Sequence, residues 1–169
     1  MLRLPFGTRA FLAAFEGIEG GFAVGTSIVV ALSIAGLERH LLLVTAAVGI
    51  VVSGFNSASV KYSSEHYLDE LDGREKKSAL RHYFLPSLVE FICYGLLGVL
   101  AVGPLFIVAN LSFAIALSVL VTLLMLFAAG AWRGYLLRMN WLRDGTETLL
   151  LGAGIILVGL ISGIVVNSL

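Results

Sequence analysis

Two carboxylates, Glu16 and Glu19, stand inside residues 10–37, an apolar run without Lys or Arg that is longer than one membrane span. Three residues apart on a helix, they share one face. A charged side chain at membrane depth costs about 2.5–3.5 kcal/mol even on the gentler insertion scale. Their like charges repel, so a proton or a cation competes for the pair. Oxygen ligands suit hard or borderline divalent ions, and protons compete for the same oxygens. The pair therefore suggests a cation site coupled to protonation. The competing reading places Glu16 near the interface, reaching back to water, with Glu19 neutral and capping a neighbouring helix.

Glu90, just after Pro86, is a third acid inside an apolar run. It either completes a carboxylate cluster with Glu16 and Glu19 or pairs with an Arg on the basic side. Asn56 and Ser57 are neutral oxygen donors at similar depth, and equally ordinary helix-packing polars. The segment 65–72 carries Glu65, His66, Asp69, Glu70 and Asp72. Glu65, Asp69 and Asp72 share a helix face at i, i+4 and i+7, and His66 and Glu70 form a second i, i+4 pair. Such a group can collect a divalent cation before it enters the membrane. Alternatively it is a solvated helix laced by Glu70–Arg74 and Asp72–Lys76 pairs, worth a few tenths of a kcal/mol each. Enzyme signatures are thin. His40, His66 and His82 show no HExxH spacing, no Ser sits in a nucleophile elbow, and no phosphate-binding Gly loop precedes a Lys. The single Cys93 excludes a disulfide framework and a thiolate metal site.

The elements that must position these residues follow from composition. The chain has 169 residues, 59% hydrophobic and 13% charged, with a mean hydropathy of +0.98. Soluble domains average about 25% charged residues, so disorder, a nucleic-acid binder and an ordinary water-soluble enzyme are all excluded. The pattern predicts an all-α integral membrane protein, a five-helix bundle and a single membrane domain over 1–169. The spans fall at about 10–36, 41–60, 85–108, 111–132 and 148–166. Segment 61–83 is a charged, partly helical cytoplasmic stretch. The first run is not read as a cleavable signal, because its apolar core is too long and holds two acids. Alternating strand segments that would support a barrel are missing.

Eleven basic residues against eleven acidic ones give zero net charge. Five spans sort them. Arg3, Arg9, Lys61, Arg74, Lys76, Lys77, Arg81, Arg133, Arg138 and Arg143 fall on one face, and only Arg39 falls on the other. The positive-inside rule then predicts a cytoplasmic N-terminus and an outside C-terminus. Gly17, Gly21 and Gly25 form tandem small-xxx-small spacings opposite the two glutamates, and Gly152, Gly159 and Gly163 repeat the device in the last span. Either row serves packing within the chain or a dimer seam.

At these residues the chain resembles the vacuolar iron transporter family. Gly130, Trp132, Arg133 and Gly134, then Asn140-Trp141-Leu142-Arg143-Asp144-Gly145 and the Gly-rich last span, follow that family's fourth-to-fifth helix pattern. Gly103-Pro104-Leu105 fits the end of span three. Glu16-Gly17-Ile18 followed by Phe22-Ala23 is similar to the family's Asp-Gly-Leu…Phe-Ala, which puts Glu16 at the key acidic position, while an alternative register puts Glu19-Gly20 there. Span two departs from the pattern. The family's Ser-Met…Gly-Glu-Tyr becomes Ser57-Ala58-Ser59-Val60-Lys61-Tyr62, so the methionine ligand is absent and Lys61 enters near the pathway. Loss of a soft sulfur weakens the case for iron over manganese.

The resemblance implies a five-helix homodimer in a lipid bilayer, a multi-pass protein of a prokaryotic plasma membrane. It implies a proton-coupled exporter of divalent cations, ferrous iron or manganese, with no resident cofactor and no nucleic-acid partner. Glu16, Glu19 and Glu90 would hold metal or proton. Two other functions fit the residues alone: a non-transporting membrane subunit that binds a partner helix, and a proton-coupled exporter of organic cations.

Overall fold

The structure, a computed structural model, describes residues 7–74 and 78–169. Arg3, Lys76, Lys77 and the expected Asp72–Lys76 pair lie outside the described residues. Helix α1 spans Gly7–Ile34 and α2 spans Arg39–Leu71. A π-helical turn, Leu80–Phe84, leads into α3, Leu85–Val102, and α4 is the single turn Pro104–Ile107. Helix α5 spans Leu111–Leu136 and α6 spans Trp141–Asn167. Five segments are long and apolar enough to cross a membrane, the third being Leu80–Ile107 as a whole. No strand occurs among the described residues.

Helix α1 is the hub. Half of its most apolar window is buried, against a third or less in each other span. It runs parallel to α3, with Gly17 against Glu90 and Cys93 and Gly21 against Tyr94 and Gly98. It also runs parallel to α6, where Gly159 meets Ser27 and Gly163 meets Ala31. Helices α2 and α5 run antiparallel to it: Glu16 meets Lys61 and Ile28 meets Gly49 on α2, and Glu19 meets Arg133 and Thr26 meets Thr122 on α5. Both glycine rows thus bring backbones together inside the chain. A Cβ on Gly17 would lie 2.5 Å from the Glu90 carbonyl oxygen, and one on Gly159 2.5 Å from that of Ser27. A Cβ on Gly25 would lie 3.2 Å from the Gly98 backbone.

The helices reach beyond the apolar cores expected from sequence. Helix α2 continues unbroken from the membrane to Leu71, so the charged stretch after residue 60 begins as helix. Helix α6 starts well before residue 148, because the Asn140 side-chain oxygen accepts the N–H groups of Leu142 and Arg143 at 3.2 and 3.3 Å. That satisfies donors a helix start otherwise leaves free. Hydropathy cannot see such a polar first turn.

Three helix ends close with the same paired backbone bonds. Leu37 and Gly36 donate to Leu32 and Ser33 after α1, Arg74 and Gly73 to Asp69 and Glu70 after α2, and Met139 and Arg138 to Gly134 and Tyr135 after α5. The left-handed residue is glycine in the first two, Gly36 and Gly73, but Arg138, at φ 58°, in the third. A residue with a Cβ holds that conformation at a cost of about 1–2 kcal/mol.

The end of the bundle bearing Gly36 is apolar and closed. Val29, Leu42, Ala46, Ile50, Val102, Leu105 and Ala114 pack there. Gly103 and Pro104 break the third span, and the guanidinium of Arg39 caps the freed carbonyls, donating to Leu105 at 2.9 Å, to Ala109 at 3.1 Å and to Val108. The opposite end, where α1 begins and α2 finishes, holds the acids.

Candidate functional site

Glu16, Glu19 and Glu90 come to one level of the bundle because α1 and α3 run parallel and touch at Gly17 and Glu90. They do not form one cluster. Three residues turn a helix by about 300°, leaving the two side chains about 60° apart, and across that angle Glu16 meets Lys61 of α2 while Glu19 meets Arg133 of α5.

On the α2 side the Lys61 ammonium pairs with Glu16 across the helix interface and with Glu65, one turn along its own helix, at 3.2 Å. The Lys61 side chain is 11% exposed and that of Glu16 49%. Arg9 of α1 reaches over the same surface, 3.3 Å from Glu65 and 2.8 Å from Asp69. The Tyr83 hydroxyl donates to Asp69 at 3.0 Å, and the Arg9 guanidinium lies over the Tyr83 ring. His66 stacks edge-on against Tyr83, with ring centres 5.0 Å apart.

Glu90 lies just below. It is 2% exposed, and the Ser57 hydroxyl donates to its Oε1 at 2.5 Å. Its Oε2 is buried without a hydrogen-bond partner among the described residues. Glu16, Lys61 and Glu65 all lie within electrostatic reach of it. Ser57 also lines an open groove of about 600 Å³ between α1 and α2, with Gly20, Val24, Ser53, Asn56 and Tyr94. The Tyr94 ring floors this groove, resting on Gly20 and Gly54, where a Cβ would come within 2.6 and 2.8 Å of it.

On the other side Arg133 of α5 donates to Glu19 at 2.5 Å and to the Thr148 hydroxyl of α6 at 3.3 Å. Asp144 is buried nearby, at the start of α6. Gly130 and Gly134 allow this junction to close. A Cβ on Gly130 would lie 2.5 Å from the Thr148 hydroxyl and 2.7 Å from the Asp144 carbonyl oxygen.

Segment 65–72 is helical and its acids divide. Glu65 and Asp69 face Arg9, whereas Asp72 pairs with Arg74 beyond the helix end at 2.7 Å. Glu70 is exposed. Among the described residues, no three His, Cys, Asp or Glu side chains are grouped to hold a metal ion.

Sequence reasoning did not identify Arg133, Arg9, Thr148, Asp144 or Tyr94 as parts of this site. One signal was available for the cations. Lys61 and Arg133 stand near the basic ends of antiparallel spans, at the depth of their acids. Periodicity alone does not say which helices are neighbours.

No curated protein matches the chain. Residues 61–164 match the VIT family, more than half of the sequence. The matched stretch includes Lys61, Glu90 and Arg133 and leaves α1, with Glu16 and Glu19, outside it. With five membrane-capable helices and this match, the chain belongs to the VIT family, the vacuolar iron transporters, a family associated with metal-ion transport across membranes.

Proposed function

We propose that the protein exports a divalent cation, ferrous iron or manganese, from the cytoplasm in exchange for protons, and that it works as a homodimer in a prokaryotic plasma membrane. One observation carries most of the weight. Glu90 is a buried carboxylate with one oxygen on Ser57 and the other unpartnered, flanked by Glu16 and beside a groove that offers Ser57 and Asn56 as neutral oxygens. A buried acid left half-satisfied is costly, and an oxygen-rich set of this kind suits a hard or borderline divalent ion.

In this reading the exposed Glu70 and Asp72 meet the cation first, and Glu16 and Glu90 receive it. Glu19, one turn further along α1, is held by Arg133 on the α5 side and stands off this path. Protonation of the carboxylates on the far side discharges the ion, and access alternates by movement of the helices around α1. The basic face sets the direction, since ten of the eleven Lys and Arg lie on the side read as cytoplasmic.

Proteoliposomes loaded with a divalent-metal dye test this. A pH gradient should drive entry of Fe²⁺ or Mn²⁺, and Glu16→Gln or Glu90→Gln should slow it at least about tenfold, equivalent to about 1.4 kcal/mol. Unchanged transport in the double Gln variant, or uptake indifferent to the pH gradient, removes the mechanism.

A further inference from the structure

We propose that Lys61 is a tethered cation that occupies the carboxylate site between transport events and is displaced by the arriving metal ion. The inference rests on the transport reading above and adds the residue that sets apparent metal affinity.

Three observations carry it. First, Lys61 stands between two acids on different helices, Glu16 of α1 and Glu65 of its own helix α2. Second, its side chain is nearly buried while Glu16 is half exposed, so the ammonium enters the site and the site keeps an open side. Third, the unpartnered Oε2 of Glu90 lies within the field of the same ammonium. A divalent ion settling between Glu16 and Glu90 would therefore meet a positive charge already there.

The geometry also supplies a place for that charge to go. The Glu65 pair is an i, i+4 contact within α2, so it does not depend on how α1 and α2 are arranged. Lys61 can release Glu16 and stay on Glu65, its four-carbon stem swinging the ammonium towards the basic end. Arg9, which also holds Glu65, keeps that acid in place. The lysine thus has two positions. On Glu16 it blocks the carboxylate, and on Glu65 alone it frees it. Metal entry and release of the Lys61–Glu16 pair become one event, while Arg9 of α1 still holds Glu65 and Asp69 of α2. A lysine suits this exchange better than an arginine, because its ammonium is a compact point charge on a flexible stem, whereas a guanidinium grips a carboxylate through two parallel bonds.

The expected effects have opposite signs in two substitutions. Lys61→Gln removes the competitor, so Mn²⁺ should bind roughly tenfold more tightly. Lys61→Arg keeps the charge but strengthens the competitor, so Mn²⁺ should bind several-fold more weakly. A residue acting only through its charge leaves the Arg variant equal to the parent. Lys61→Met serves as a second charge-free variant should the Gln protein not fold.

The experiment titrates detergent-purified full-length protein with Mn²⁺ and reads free ion by electron paramagnetic resonance, with dye-loaded proteoliposomes in parallel. Tighter binding in Lys61→Gln together with weaker binding in Lys61→Arg supports the tethered cation. Equal affinities in the parent and Lys61→Arg, or in the parent and the charge-free variants, overturn it while leaving the transport reading intact. The expected pair of binding shifts without Mn²⁺ or Fe²⁺ transport by the parent sinks the transport reading and keeps Lys61 as the occupant of the cation site. No Mn²⁺ binding by any variant, Lys61→Gln included, overturns both.

Discussion

Glu16 and Glu19 leave the same helix three residues apart. One meets a lysine on α2 beside an open groove, and the other meets an arginine on α5 inside a closed junction of three helices. The Lys61 side offers a flexible ammonium shared between two acids, with a half-exposed Glu16 and the groove next to it. The Arg133 side offers a guanidinium also bonded to Thr148, with both members of its ion pair about a quarter exposed. Gly130 and Gly134 close the helices around it, as Gly17 and Gly21 close α1 onto α3. On the tethered-cation proposal, equal charges at similar depth divide into an exchangeable contact and a fixed one. What separates them is the stiffness of the partner and the packing behind it.

The largest test of that division compares the two cations. Arg133→Gln should lower stability by about 2–3 kcal/mol, because it leaves Glu19 and Thr148 without their donor in a closed junction. Lys61→Gln should cost under about 1 kcal/mol, since Glu65 keeps Arg9 and Glu16 is half exposed. Thermal unfolding midpoints in detergent measure both, and equal losses would erase the distinction.

A second comparison uses glycines. A Cβ on Gly130 meets the Asp144 backbone as well as Thr148, and backbone cannot move aside cheaply, so Gly130→Ala should cost about 2 kcal/mol. The nearest atoms to a Cβ on Gly20 all belong to the Tyr94 ring, a side chain that borders the groove rather than backbone. Gly20→Ala should cost about 1 kcal/mol or less, and the reverse order in the same melts would mean the groove side is the rigid one.

The smallest effect concerns Glu90. Ser57→Ala removes the donor to Oε1 and should cost about 1 kcal/mol. The loss should vanish in a Glu90→Leu background, which has no acceptor for the hydroxyl. Additive losses in that double-mutant cycle would show that the two side chains do not act together.

Much of this was readable beforehand. The five spans follow from apolar runs, and the acids inside them from their rarity in such runs. The π-helical turn before α3 and the early start of α6 were not readable, because both consist of polar or mixed residues held by local hydrogen bonds that hydropathy ignores. The candidate site was half legible. Glu16, Glu19, Glu90 and Ser57 stand out as polar groups at depth, but their partners do not. Glu90 was open between a carboxylate cluster and an Arg, and the structure gives it Ser57. The spacing in segment 65–72 leaves open a cation-collecting acidic face and a solvated, ion-paired helix, and neither points to Arg9, which lies 56 and 60 residues away in sequence from the two acids it holds.

The amino-acid sequence was enough to predict five membrane-capable helices with acids inside their apolar runs, and to sort the basic residues to one side as an expectation. These are properties of single segments, set by transfer energies and helix period. The tertiary structure alone decided that Glu16 answers to Lys61 and Glu19 to Arg133. A helix's period fixes which way each side chain points from its own axis, but only the packing of backbones across glycines fixes which neighbour stands there.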